Sequence, residues 1–358
     1  MRWPDTYGFE DPQELESSFQ NYQTLDLLVR NAFDFIERAI QDFNTDPKFS
    51  IINFCTAIEL ILKAKLAGED WRQILAQPKD DYKSFLLGKC KSIRMEDAID
   101  KLDDLPQEAR SSFRSLARHR NIIIHFFHAG LNTDEQAKTQ IVAEQCRSWF
   151  HLHRLLAGYD FKEYRGDVAQ ADGNMKTHAN YLRIKFESLW SELKEYRKIG
   201  NTPVTCEACS YEAGISEDLD DQILVTRCKV CDHVKTRVHI DCPHCDRAIV
   251  IANEGHTNCS QCEKAIEPEH LVDILEDEDA AYRAIKDGDD SWARANCSVC
   301  EGYHTVVRRS DRYFCASCFD ISDQTETCGW CGERNTGDMS DSYIMGCGQC
   351  DGAMKNNN

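Results

Sequence analysis

The segments Cys206-Glu207-Ala208-Cys209 and Cys228-Lys229-Val230-Cys231 establish the pattern of the second half of this sequence. A Cys-x-x-Cys turn places two thiolates on one side of a tight loop, and two such turns close a tetrahedron around one metal ion. Six further pairs of the same spacing follow, and no cysteine after position 201 lies outside a pair. The sequence therefore predicts four sites of four cysteines each.

Taken in chain order, the two pairs of each site are separated by 18, 13, 14 and 15 residues. These gaps are close to the roughly 15–20 residues that are typical of zinc ribbons. We therefore predict four structural zinc ions with no open coordination position, while interleaved pairing within each tandem stays open as an alternative. The predicted ligands are Cys206, Cys209, Cys228, Cys231, Cys242, Cys245, Cys259, Cys262, Cys297, Cys300, Cys315, Cys318, Cys328, Cys331, Cys347 and Cys350.

Other uses of these residues are disfavoured. His233, His244 and His256 lie near the cysteines, but each site already has four thiolates, so we predict that these histidines are surface residues. Disulfides are the alternative for a chain with nineteen cysteines. The segment Met1–Glu10 has neither the basic nor the apolar part of a secretory signal, and no apolar run approaches the ~20 residues of a membrane span. We therefore predict a cytoplasmic protein with reduced thiols and no membrane partner.

The negative charge is concentrated in the cysteine-rich half. The chain has a formal net charge of −19, and residues 201–358 contribute −16 of it, from 14 basic and 30 acidic residues. Each zinc ion with four thiolates would add about −2 more. So acidic a segment cannot bind RNA by bulk attraction, although Arg308, Arg309 and Arg312 form a local basic patch. We expect it to recognise a protein or ribosomal partner, or to contact nucleic acid at a few defined points.

The first 200 residues are predicted to be helical. Asp-Pro steps at Pro12 and Pro47 open two helices with apolar residues at a 3.6-residue spacing. Further helices are expected from Pro106 to Phe127, ending at Gly130, and after Asn132 or Thr133. The predicted fold class is mainly α, with tandem four-cysteine zinc ribbons of short β-hairpins. The predicted domains are a helical bundle at 1–165, a helical connector at 166–200, two zinc ribbons at 201–265, an acidic helical spacer at 266–295 and two zinc ribbons at 296–358.

The ribbon segments are short. We therefore expect the metal to take the place of an apolar core in this half.

One helix of the first half carries the candidate catalytic residues. Arg118, Asn121, His125 and His128 are spaced by three or four positions and therefore share one helical face. Histidine together with arginine can transfer protons and neutralise phosphate charge. The apolar residues between them also fit a helix at a dimer interface, whose polar stripe would then have only a structural role. Residue types alone leave both interpretations open.

The segment Arg120-Asn121-Ile122-Ile123-Ile124-His125 resembles the Arg-polar-x3-His signature of HEPN domains (higher eukaryote and prokaryote nucleotide-binding). Residues 53–63, with Glu59, resemble an earlier helix of that family, and the resemblance covers about residues 12–160. It implies a helical bundle that dimerises through its HEPN helices and cleaves RNA without a catalytic metal, as many members do. His125 would then act as general acid or base, Arg120 would hold the scissile phosphate, and Asn121 would orient it.

The geometry of a regular helix leaves the choice of arginine open. Five residues place Arg120 about 140° around the helix from His125, whereas Arg118 lies nearly in line with that histidine. Glu59 is expected to form an internal ion pair, and support of the site is its alternative role.

The predicted function is a metal-independent HEPN endoribonuclease that acts as a toxin or antiviral defence effector, with zinc ribbons that recognise its target or partner. Its main rival is a non-catalytic dimeric adaptor that binds a protein or ribosomal surface through its ribbons. A zinc-ribbon transcription or processing factor is a third possibility, but the acidity of the ribbons disfavours it.

Overall fold

A computed structural model describes residues 12–77, 79, 81–126, 135–252, 258–288 and 291–353. It divides the chain into two compact units, Met1–Ser191 and Glu192–Asn358. The first unit is helical, and the second combines short β-strands with four clusters of cysteines. A helical first half and a cysteine-rich, β-containing second half are thus confirmed. The expected ends of two helices, at Phe127, Gly130 and Asn132 or Thr133, lie outside the described residues.

The helices are α1 (Pro12–Asp42), α2 (Pro47–Glu69), α3 (Tyr82–Leu86), α4 (Met95–Lys101), α5 (Gln107–His125), α6 (Glu135–Leu156), α7 (Arg165–Lys176), α8 (Ala179–Ser188), α9 (Trp190–Lys198), α10 (Pro268–Leu275), α11 (Glu278–Lys286) and α12 (Ser342–Met345), with short 3-10 helices at Trp71–Ile74 and Tyr159–Tyr164. No helix within the described ranges is both long enough and apolar enough to cross a membrane.

Helix α2 is the centre of the first unit. It begins at Pro47, where the fixed φ of proline suits the first helical turn. Its side chains are apolar on several sides, and Phe54, Ile58 and Ile61 are fully buried because α1, α4 and α5 all pack against this helix. Burial of each such side chain stabilises the fold by about 1.5–3 kcal/mol. The first unit is therefore organised around one largely buried helix.

The buried carboxylate of Asp172 connects α6, α7 and α8. Trp149 donates its Nε1–H to Asp172 at 3.1 Å, Tyr181 donates its hydroxyl at 2.8 Å, and Lys176 forms an ion pair with it at 2.6 Å. Burial favours the neutral acid, but the surrounding cations outweigh it and lower the pKa of Asp172 to about 2. Residues up to Ser191 therefore belong to the helical unit. The segment 166–200, expected to be a helical connector, contains α7, α8 and α9.

The strands of the second unit are β1 (Val204–Thr205), β2 (Glu212–Asp218), β3 (Ile223–Cys228), β4 (Val234–Asp241), β5 (Ala248–Ala252), β6 (Val306–Arg309), β7 (Arg312–Cys315), β8 (Ile321–Ser322), β9 (Thr325–Thr327) and β10 (Arg334–Thr336). They form antiparallel sheets of five, three and two strands, in the orders β1-β2-β3-β4-β5, β6-β7-β8 and β10-β9. One sheet thus spans the first two cysteine clusters.

The second unit has an apolar core, contrary to the expectation that metal replaces one. Ile223, Val238 and Ile251 stand opposite one another across β3, β4 and β5, all buried. The other side of this core comes from Leu271 in α10 and Phe314 in β7. The segment expected to be only an acidic spacer therefore supplies part of the core. Segments far apart in the sequence bury together what no single ribbon could bury alone.

Candidate functional site

Four clusters bring cysteine sulfurs within 4.8 Å of one another, in chain order and not interleaved. The clusters are Cys206/Cys209/Cys228/Cys231, Cys242/Cys245/Cys259/Cys262, Cys297/Cys300/Cys315/Cys318 and Cys328/Cys331/Cys347/Cys350. The shortest Sγ–Sγ distances across the pairs are 3.6 to 3.8 Å. Metal–sulfur bonds of ~2.3 Å in a tetrahedron require an edge of about 3.8 Å. All sixteen predicted ligands therefore lie in groups that could hold a metal ion.

Seven of the eight turns share one backbone geometry. The residue after the second cysteine takes a left-handed conformation with positive φ in each of them, at Ser210, Asp232, Asp246, Glu263, Glu301, Phe319 and Gly332. In the first turn the amide of Ser210 donates to the carbonyl of Cys206 at 2.8 Å. This left-handed residue reverses the chain direction and keeps both sulfurs on one side of the loop. Only one of the seven positions is a glycine. The sequence offers no simple signal for this conformation.

The eighth turn, at Cys347 and Cys350, differs from the others. Gly346 has a φ of 82°, and a Cβ atom placed on it would lie only 2.0 Å from the carbonyl oxygen of Cys350. No side chain fits into that space, so glycine is required there. In this turn the left-handed residue is therefore the glycine before the first cysteine. Both sulfurs still belong to the fourth cluster.

Among the described residues of this half, neither the histidines considered above nor the basic run forms a further site. His233 and His244 are exposed and outside the clusters, and His256 lies outside the described residues. Arg309 is largely buried in an ion pair with Asp220 at 2.6 Å. Arg308 lies over the ring of Trp292, 4.9 Å from its centroid. The local basic patch expected to contact nucleic acid is therefore partly used to hold the fold.

The end of α5 presents the candidate catalytic residues in two directions. The helix is continuous through His125, so the 3.6-residue periodicity holds along the whole motif. Arg118, Asn121 and His125 are exposed on one side of it. Arg120 is turned toward α2, where its Nη2 lies 3.8 Å from Oε2 of Glu59. The fold thus brings three of the polar residues together and separates Arg120 from them, and His128 lies outside the described residues.

Arg120 lies in a partly buried polar cluster against α2. Glu59 also pairs with Lys63 at 2.6 Å, which is the internal ion pair expected for it. Burial raises the pKa of the Cys55 thiol to about 12, although the nearby guanidinium of Arg120 opposes that rise. The buried Nε of Arg120 has no hydrogen-bond partner within the described part of the chain. An unsatisfied buried donor is costly, so this arginine retains capacity for one more acceptor.

The structure also shows a polar contact at His119 that the sequence analysis did not single out. Its Nε2 lies 2.9 Å from Oε2 of Glu144 on α6, and the hydroxyl of Ser115 donates to the same carboxylate. Burial favours the neutral acid, but these hydrogen bonds hold the pKa of Glu144 below its usual value. Ser115 and His119 are four residues apart and share a helical face. That spacing was the available signal, and the contact joins α5 to α6.

Comparison of the chain with models of protein families, with curated proteins and with solved structures gives no match in any of the three. Its function is therefore argued from the two kinds of site described above.

Proposed function

We propose that this protein is a metal-independent endoribonuclease of the HEPN type, acting as a toxin or antiviral defence effector. The observation that carries the proposal is the exposed polar face at the end of α5, where Arg118, Asn121 and His125 stand together. A histidine and an arginine that both face solvent can reach a phosphodiester, whereas buried ones cannot. The four-cysteine sites would then serve recognition and structure.

The proposed reaction is attack of a ribose 2′-oxygen on the adjacent phosphorus. His125 of one protomer would take the proton from the 2′-hydroxyl, and the same residue of a second copy would give a proton to the leaving 5′-oxygen. The products would be a 2′,3′-cyclic phosphate and a free 5′-hydroxyl. Asn121 would orient the phosphate by donating a hydrogen bond to it. Proton transfer and charge neutralisation by side chains suffice for this reaction.

Either of two arginines can neutralise the phosphate in this proposal. Arg118 is exposed on the side of the helix that carries His125. Arg120 would have to give up its contact with Glu59 to hold a phosphate oxygen, because its unpaired Nε is buried. Helical geometry favours Arg118, and the resemblance favours Arg120. Substitution of each decides between them.

A dimer would complete the site, and exposed apolar side chains at the end of α5 support it. Ile122 is 41 % exposed, Ile124 50 % and Phe126 80 %. We expect Ile124→Glu to convert the protein from dimer to monomer, because a buried carboxylate would disrupt a two-fold contact. RNA cleavage should fall as the dimer is lost. Sedimentation at micromolar concentration measures the first effect. Leu27→Glu is a matched control on α1, since Leu27 is also 50 % exposed. A wild-type protein that sediments as a monomer would contradict the dimer.

The direct test of the nuclease is incubation of the pure protein with total cellular RNA, followed by mapping of the cut ends. We expect discrete cuts that leave 2′,3′-cyclic phosphates, and we expect cleavage to persist during brief exposure to EDTA. Intact RNA after incubation with the pure dimer would refute the proposal.

A dimeric adaptor without activity is the second candidate, because one observation favours it. The ion pair with Glu59 gives Arg120 a structural role that needs no substrate. In an adaptor the α5 helices would only dimerise, and the cysteine-rich unit would bind a protein or ribosomal surface. Unchanged RNA together with an intact dimer is its expected result.

We propose that the metal of all four sites is zinc. Thiolates are soft ligands, and tetrahedral sites of four sulfurs suit zinc or iron. A closed four-thiolate site has no position for substrate or water. The sites would therefore stabilise the second unit, and no step of the reaction is assigned to them.

A further inference from the structure

The last cysteine cluster has an exposed aromatic and apolar surface, which we call the aromatic face: Trp330, Tyr343, Ile344 and Met345. Trp330 lies inside the Cys328–Cys331 turn, and its ring packs edge-on against Tyr343 with centroids 5.5 Å apart. The other three belong to the short helix α12, where Tyr343 is 58 % exposed and Met345 66 %. Single exposed apolar residues are ordinary, but four of them within one small cysteine cluster mark a candidate interaction site.

Acidic residues lie close in the sequence to the aromatic face. Asp341 immediately precedes α12 and is exposed. Glu333 follows the turn that carries Trp330 and lies 3.2 Å from Nε2 of His304, whose ring stacks on exposed Tyr303 at 4.0 Å. Between residues 297 and 353 there are nine acidic residues and four basic ones. Each filled zinc site would add about two negative charges. The aromatic face thus belongs to a segment of net negative charge.

The backbone holds this surface in a fixed position. Gly329 donates its amide to the hydroxyl of Ser342 at 2.9 Å, which connects the Trp330 turn to the start of α12. Ala353 donates to the carbonyl of Tyr343 at 2.9 Å. A surface that is ordered before it binds loses little conformational entropy on binding. The aromatic face is therefore prepared for a partner.

We propose that the aromatic face binds a cationic peptide segment that alternates arginine or lysine with apolar side chains. The apolar side chains would cover Ile344 and Met345. A guanidinium would lie over the exposed ring of Tyr343 and pair with Asp341. Charge complementarity decides between a peptide and a nucleic acid. Exposed aromatic rings also stack on bases, but this negatively charged segment would repel a polyanion and lacks the basic contacts that a polyanion requires.

This inference rests on the recognition role that the proposed function gives to the cysteine-rich unit. It is tested by binding rather than by cleavage, so the two can fail separately. A protein that binds the peptide and leaves RNA intact refutes only the nuclease. A protein that cleaves RNA and does not bind the peptide refutes only this inference.

The experiment uses the full-length, zinc-loaded protein and three fluorescent probes of equal length. They are an arginine–leucine alternating peptide, a glutamate–leucine alternating peptide and a single-stranded oligodeoxynucleotide, which has no 2′-hydroxyl to be attacked. We expect the arginine–leucine peptide to bind at least about tenfold more tightly than either of the other two. The double substitution Tyr343→Ala with Met345→Ala should weaken that binding about tenfold or more, as loss of an interface centre does. Asp341→Asn should weaken it about threefold and reduce its dependence on salt.

Tyr282→Ala is the matched control, because Tyr282 is an aromatic residue on α11, 71 % exposed and outside the aromatic face. It should leave the affinity unchanged. Zinc content checks the folding of each variant, and Met345→Ala alone replaces the double variant if the latter loses metal. Equal binding of both peptides, tighter binding of the oligodeoxynucleotide, or an equal loss in Tyr282→Ala would overturn the proposal.

Discussion

His125→Ala is expected to reduce RNA cleavage by about 10²–10⁴-fold, the usual contribution of a general acid or base. His125 ends α5 and is exposed, so its removal leaves no buried cavity and the fold should be unaffected. The loss should therefore appear as a lower rate at unchanged stability, measured by single-turnover cleavage beside thermal unfolding. His239→Ala, at an exposed position of β4, is the matched control and should cleave normally.

The arginine variants identify the phosphate contact. If Arg120 holds the phosphate, Arg120→Ala should be as damaging as His125→Ala, and Arg120→Lys should rescue it only in part because lysine lacks the planar fork of arginine. Arg120→Ala also leaves Glu59 without one of its cations, so its unfolding must be measured as well. If Arg118→Ala alone abolishes cleavage, the exposed face of α5 is the site and the resemblance indicated the wrong arginine. His119→Ala should cleave nearly normally, although it loses the contact with Glu144. Normal cleavage by both the His125 and the Arg120 variants would rule out the proposed nuclease site and would leave the non-catalytic adaptor as the remaining candidate function.

The pure protein is expected to contain close to four zinc ions per chain, because four clusters have the sulfur spacing of a filled site. Apparent binding energies of structural zinc are about 10–16 kcal/mol per site, so loss of a ligand should affect the second unit strongly. Cys242→Ser should lower the content toward three ions. Cys90→Ser, outside the clusters, should leave it at four. Elemental analysis of the three proteins gives these values, and two or fewer ions in the wild type would contradict the assignment.

Chelation of the metal should disorder the second unit and leave the helical unit folded. Cys242 and Cys259 are buried in the same core as Ile223 and Phe314. Removal of the metal would take away the bonds that hold these four cysteines together and would return protons to them, so the core and the sites should be lost together. Far-UV circular dichroism should retain most of its helical signal, while proteolysis should begin only after residue 191. Loss of the helical signal at the same chelator concentration would show that the first unit depends on metal.

The fold was predictable from the sequence where cysteines or apolar residues recur at a regular spacing. Each Cys-x-x-Cys pair predicts its own two ligands, since a turn of that length presents both sulfurs in one direction, but which turns share a site is decided only by the structure. The β-branched and alternating residues at Ile223–Arg227 and Val234–Ile240 indicate strands, and these segments are β3 and β4. Strand β2 was not predicted, because Gly214, Ser216 and Glu217 are poor strand formers. Its pairing with β3 outweighs those preferences.

Two properties could not be predicted because they depend on distant segments. The core of the second unit joins α10 and β7 to the first sheet, and no local pattern specifies that contact. At the candidate active site, the spacing already indicated that Arg120 and His125 point in different directions. Only the position of α2 shows that Arg120 pairs with Glu59.

The fully buried Asn296 has a consequence for how this chain can evolve. Its amide donates to the carbonyl of Arg334 at 2.8 Å, its carbonyl accepts from Thr336 at 3.0 Å, and its Oδ1 accepts from the amide of His304 at 2.8 Å. The third and fourth cysteine clusters thus share one strand-like connection. A deletion that removed the last repeat alone would leave the backbone amide and carbonyl of Asn296 without these partners. We therefore expect the third repeat to lose stability when the fourth is deleted.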